Sequence, residues 1–200
     1  MDQSNERVNK KRAAILTAAK KLLKQYHPNK VSIRDIASEA DVSVVTIYNH
    51  FQHKEGLIFH IVKQMVEDQI EYTRSVLESA GDFQEKLQIL MMNKSKTIAD
   101  FHPEFFNYMM GQSGLVTYLS EISHSISFPL LQQLIEQGKE EGAIAEDMPI
   151  SLIMSVFELY SRDMTSRNSI LLSNHNIANE YEKIAEILIY GISGKKQEGK

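Results

Sequence analysis

The chain has 200 residues, 42% of them hydrophobic and 24% charged, with a net charge of −4 and a mean hydropathy of −0.29. It contains no cysteine, which excludes disulfide frameworks and thiolate chemistry and is compatible with a reducing cytoplasm. The N-terminus is charged and no apolar run approaches about 18 residues, so neither a secretory leader nor a membrane span is expected, and the expected location is cytoplasmic.

Proline and glycine are scarce, and long segments carry helical periodicity, so the expected fold is all-α, with about nine helices. After a short polar lead, the first helix is expected from Arg7 to about Tyr26. Ile15, Ala18, Ala19, Leu22 and Leu23 point inward, and a run of lysines and arginines points outward. His27-Pro28-Asn29 stops it, because proline cannot continue the hydrogen-bond ladder.

Val31 to Leu57 is the organising stretch. Ser32 is a good N-cap, and Asp35, three residues on, is placed to complete a capping box. Ile33, Ile36, Ala37 and Ala40 then give a buried face about two turns long. Asp41-Val42-Ser43 interrupts, Ser43 caps a second short helix, and Val42 and Ile47 can pack back on the first. The second helix leaves Val44, Val45, Thr46, Tyr48 and Asn49 outside. Two short helices so joined match a helix-turn-helix, whose second helix enters the DNA major groove.

The order Ser32, Asp35-Ile36-Ala37, Val42-Ser43, Thr46, Ile47-Tyr48, His50-Phe51 and Lys54-Glu55 before Leu57 resembles the N-terminal signature of the TetR-type transcriptional regulators. Two positions depart from it. Asp41 stands where the family usually has a turn glycine, and Val45 where a small residue is common. Aspartate tolerates the left-handed conformation better than most residues, so the turn is expected to survive. The resemblance implies a helix-turn-helix DNA-binding domain over residues 1–56, with the motif at about 32–51. It also implies an effector-binding and dimerisation domain over 57–195, with a frayed tail at 196–200. Phosphate contacts are implied for Ser32, Thr46, Tyr48 and Lys54. Base contacts fall to Arg34, Val44, Val45 and Asn49; valine offers a thymine methyl only apolar contact, whereas Asn49 suits adenine. The charge distribution agrees with a reading head: residues 1–56 hold ten Lys/Arg and six Asp/Glu, and the rest twelve and twenty.

Beyond the motif a long helix is expected from Lys54 to about Ser79, broken by Gly81-Asp82. Asp82 then caps a helix from Phe83 to about Phe101. Pro103 opens a short helix that ends at Gly111, and another helix runs from Leu115 to about Glu141 with a bend near Pro129. Pro149 begins a helix reaching about Arg167. Ser173 to Asn176 is a polar turn, and a last helix covers Ile177 to about Tyr190.

Aromatic and methionine side chains concentrate in residues 87–128. Such side chains at helical spacing are as often plain core as binding site. The resemblance favours a small hydrophobic effector held among Met91, Phe101, Phe105, Tyr108, Met109, Tyr118, His124, Phe128 and Phe157. A homodimer interface is expected from Ile153, Val156, Tyr160, Tyr181, Ile184 and Leu188, whose helices carry more apolar face than one small body covers. No cofactor, metal site or catalytic residue is expected. His50 and His53 lack a completing carboxylate cluster, and there is no nucleophile elbow, phosphate-binding glycine loop or Glu-x-x-His motif. The expected function is a ligand-released repressor that binds a pseudo-palindromic operator as a homodimer. The alternative is a dimeric regulator or activator governed by a protein partner, with no small-molecule pocket.

Overall fold

A computed structural model of the chain describes residues 3–164 and, beyond them, Lys183 and Ile187. The described residues form helices only: α1 (Gln3–Gln25), α2 (Ile33–Glu39), α3 (Val44–Phe51), α4 (Lys54–Glu78), α5 (Phe83–Ala99), α6 (Glu104–Met110), α7 (Ser113–Ile122), α8 (Phe128–Glu140) and α9 (Ile150–Met164). The polar turn at 173–176, the last expected helix and the tail lie outside the described residues, as do Tyr181, Ile184 and Leu188 of the expected interface.

Side-chain chemistry sets the helix starts. Ser32 Oγ accepts from the Asp35 N–H at 3.2 Å while Asp35 Oδ2 accepts from the Ser32 N–H at 2.8 Å, a complete capping box. Asp82 and Glu85 repeat the device at α5. His53 caps α4, its Nδ1 accepting from the Gly56 N–H at 2.8 Å. The stop after α2 is a Schellman arrangement: Val42 N–H donates to Ala37 O at 3.0 Å and Asp41 N–H to Ser38 O at 3.4 Å. Asp41 has φ +52°, so it occupies the left-handed position expected of it.

The head is a core of Ile15, Ala19, Leu23, Ile36, Ile47 and Phe51, but that core does not end at residue 56. It continues through Leu57, Ile58, Ile61 and Val62 of α4 into Ile98, Phe101, Phe105, Met109, Met110 and Leu115. A backbone bond from His102 N–H to Leu23 O, at 3.2 Å, joins the end of α1 to the α5–α6 link. A second core lies at the other end of the body, where Leu77, Phe83, Leu134, Ile135, Ile144 and Ile153 meet.

The expected long helix from residue 115 to 141 is α7 and α8 joined through a π-helical segment, Ser123–Ser127, in which Phe128 N–H donates to Ser123 O. Pro129 has no N–H to give Ser125 O, so the α-helical ladder cannot pass this point unaltered, and a π-bulge absorbs the break.

Candidate DNA-reading surface and effector site

The α2–α3 pair presents one outer surface. On it Val45 is 65% exposed and Tyr48 48% exposed, and Arg34 and Asn49 are exposed as well. The Arg34 guanidinium, the Tyr48 hydroxyl and the Asn49 amide have no hydrogen-bond partner among the described residues. They are polar groups that the fold itself leaves unused. Ile36, Ala37, Ile47 and Phe51 are buried beneath them, as expected of the supporting face.

The other expected contacts are more committed to the protein. Val44 is half-buried against the head core, so Val45 rather than Val44 dominates the apolar part of the surface. Ser32 Oγ serves the capping box and also donates to Asp35 Oδ2 at 2.6 Å. These bonds from Ser32 hold the Asp35 carboxyl below its usual pKa. Thr46 Oγ1 shares a 2.8 Å hydrogen bond with Ser43 Oγ, the cap of its own helix. Lys54 turns inward: Nζ donates to the Pro28 carbonyl and lies 5.6 Å from the centre of the Tyr108 ring. Burial lowers the Lys54 ammonium pKa, against the opposing pull of Glu55 and Asp35. Burial likewise raises the Tyr108 hydroxyl pKa.

The residues expected to hold an effector are not gathered in one place. Phe101, Phe105 and Met109 are buried in the core that joins head to body, with the two phenylalanine rings stacked at 4.4 Å. They fill space rather than line it. Met91, Tyr118, Phe128 and Phe157 are half-buried, and His124 is exposed, with Nδ1 2.8 Å from Ser120 O. Burial raises the Tyr118 hydroxyl pKa.

Between the two cores each long helix has a stretch that belongs to neither: 67–76 in α4, 91–97 in α5, and 120–129 at the α7–α8 junction. Met91, Phe128 and the π-helical segment stand in these stretches, and Tyr118 is two residues from one. So does a polar pair that periodicity does not reveal, with Asn93 Nδ2 donating to Gln69 Oε1 at 3.0 Å. The sequence signals for this region are the aromatic and methionine side chains of residues 87–128 and the expected bend at Pro129.

On α9 the expected interface divides. Ile153 is 2% exposed and belongs to the body core. Val156 is exposed, and Tyr160 is half-buried. Leu152 and Leu159, which the expected set omitted, are 52% and 66% exposed, so the outward stripe is Leu152, Val156 and Leu159. Among the described residues no three His, Asp or Glu side chains are grouped to hold a metal, and no helix is long and apolar enough to cross a membrane.

Residues 15–61 match the family model described as bacterial regulatory proteins, tetR family. The HTH-type transcriptional repressor KstR2 of Rhodococcus jostii (strain RHA1) is 25% identical over 147 residues, which is 71% of this chain and 72% of that one. Among solved structures, the fatty acid degradation regulator FadR from Bacillus halodurans superposes with a TM-score of 0.65 at 22% identity, covering 90% of this chain and 95% of its own. FadR from Bacillus subtilis, solved in complex with stearoyl-CoA, superposes with a TM-score of 0.63 at 20% identity, covering 90% and 98%.

Proposed function

We propose that this chain, a TetR-type transcriptional regulator, is a repressor that binds a two-fold-symmetric operator as a homodimer and leaves it when a small apolar effector binds. The observation that carries the DNA-binding part is the outer surface of α2 and α3, where Arg34, Tyr48 and Asn49 have no partner among the described residues and Val45 is exposed. Arg34, Val45 and Asn49 are assigned to base edges, with Val44 beside them at the packed margin. Ser32, Thr46, Tyr48 and Lys54 are assigned to phosphates. No catalytic role is assigned to any residue, and a cytoplasmic location goes with a protein that works on DNA.

We assign the effector to the stretch between the two cores, against Met91, Tyr118 and Phe128, with Phe157 at the margin of the second core and Gln69, Asn93 and His124 as the polar groups of the site. Half-buried apolar side chains beside a π-bulge support this reading, because such bulges recur at functional sites. KstR2 and FadR are named as regulators, and FadR from Bacillus subtilis is bound to stearoyl-CoA, so long-chain acyl thioesters are the first effector class to test. The mechanism is a population shift: an effector that prefers one tilt of α4 changes the spacing of two reading heads and lowers operator affinity by that preference. The dense packing of Phe101, Phe105 and Met109 favours the second reading, a regulator governed by a protein partner. In that case no acyl thioester would alter DNA binding.

Selection of bound duplexes from a random pool at two salt concentrations, repeated with stearoyl-CoA, tests the proposal. A palindromic site whose recovery falls with the thioester supports it. Salt-sensitive binding without an enriched site would remove the reading role of α3.

A further inference from the structure

The surface between α1 and α4 holds a cleft of about 580 Å³, lined by none of the residues assigned above to DNA or effector. Arg12, Leu16 and Lys20 stand one turn apart along α1, and His60, Lys63, Gln64 and Glu67 recur at the same spacing on α4, so two helical stripes face one another. Leu16 is buried and gives the cleft an apolar floor.

The charges in the cleft do not balance. Glu67 is its one carboxylate, and it lies 3.8 Å from Lys63. Arg12 meets no carboxylate among the described residues. Its guanidinium sits 5.5 Å from the centre of the Phe51 ring, a contact that orients the cation without neutralising it. Lys20 Nζ donates to the Gln64 amide oxygen at 3.4 Å and to no carboxylate among the described residues. Lys10, Lys21 and Lys24, elsewhere on α1, each pair with an acid. His60 Nδ1 faces the Gly56 carbonyl at 2.9 Å, which leaves Nε2 without a hydrogen-bond partner among the described residues.

We propose that this cleft binds a small phosphorylated organic molecule of nucleotide size. Arg12 holds the phosphate, Leu16 and the neighbouring turn of α1 receive the organic part, and Lys20, two turns from Arg12, meets polar groups at the far end of the cleft. A guanidinium already held in place suits two-pronged contact with a phosphate. The volume lies within the roughly 300–1,000 Å³ range of small-molecule sites, far more than a lone phosphate needs. Because α1 belongs to the reading head and α4 leads into the body, the bound molecule bridges the two and resists a change in their angle. The site is separate from the effector stretch and stands whether or not that assignment holds.

Isothermal titration of the full chain with ADP, at constant ionic strength and with inorganic sulfate as the control anion, tests the proposal. The expected result is saturable binding of one ADP per chain, with sulfate about tenfold or more weaker. Arg12→Gln and Lys20→Glu are each expected to weaken ADP by about tenfold, the effect of losing one charge-assisted contact. Lys20→Glu leaves the Arg12–Phe51 contact in place, so it remains informative if Arg12→Gln unfolds, which circular dichroism reports. Absence of saturable ADP binding to the unmodified chain, or undiminished binding by folded variants, overturns the proposal. Complete displacement of ADP by a duplex lacking an operator also overturns it, because the cleft would then be a seat for DNA phosphates.

Discussion

The corner between α3 and α4 turns on the carbonyl of Phe51. That oxygen accepts from the His53 N–H at 2.7 Å across Gln52, whose φ of +64° and ψ of −49° lie close to the rare, strained γ-turn. A Cβ on Gly56 would stand 2.3 Å from the same oxygen, so glycine is required there for space, although its own φ is ordinary. Gln52→Gly is expected to raise unfolding stability by up to about 1 kcal/mol in chemical denaturation, because glycine adopts positive φ without a Cβ penalty. A loss instead would show that the glutamine side chain matters more than its backbone. Two residues on, Lys54 serves the fold and the proposed function at once. Its ammonium has three donors, and one is given to Pro28 O. Lys54→Ala is therefore expected to lower the salt slope of DNA binding by roughly one ion as well as the melting temperature. If only the melting temperature fell, Lys54 would belong to the structure alone.

The helices of the body lock through two contacts between α5 and α8. Gly138 of α8 lets the backbone approach Phe83, since a Cβ there would come within 2.7 Å of the ring and 3.0 Å of Ile144 Cδ1. Phe83 is fully buried and cannot retreat, so Gly138→Ala is expected to cost about 1–3 kcal/mol, the range for overpacking, despite alanine's better helix propensity. Stability unchanged within error would mean that α8 can slide. Beside it Lys86 is only 6% exposed, yet its ammonium is satisfied by Leu77 O at 2.9 Å and Gln137 Oε1 at 3.1 Å. It thus ties the last turn of α4 to α8, where a cation also complements the negative end of the α4 dipole. In the sequence Lys86 is one charge and Gly138 one glycine within helical stretches. Neither role is visible until α8 lies against α5.

At the scale of the whole molecule, the two cores do not contribute in the same way. One joins the N-terminal helices α1 to α3 with α4 and α6 in a single buried cluster. The other anchors α9 through Ile153 and leaves Leu152, Val156 and Leu159 facing outward, i, i+4 and i+7 along one stripe. A second copy of the chain is the proposed cover, by a symmetric contact. Leu159→Glu is expected to raise the dimer dissociation constant roughly hundredfold, as for a central contact residue, measured by sedimentation equilibrium. Binding to a palindromic duplex should fall with it while single half-sites are unaffected. An unaltered dimer would move the interface away from α9.

Much of the head was legible because its information is local. Ser32 with Asp35, Ser43 before Val44, Asp41 at a left-handed turn and Pro28 after α1 each act on a backbone a few residues away, so spacing alone determined the helix starts and stops of the motif. Charge pattern and the order of motif residues then pointed to DNA. The body was less legible because burial is a property of neighbours distant in sequence. Phe101, Phe105 and Met109, expected at the effector site, share one buried cluster with the head, and Ile153, expected at the interface, shares another with Phe83 and Ile135. Leu159 is as apolar as Ile153, and only the rotation of α9 about its axis separates them. Likewise, Arg12 and Lys20 are ordinary surface cations in the sequence. Only the tertiary structure sets them across a cleft from α4 without carboxylate partners.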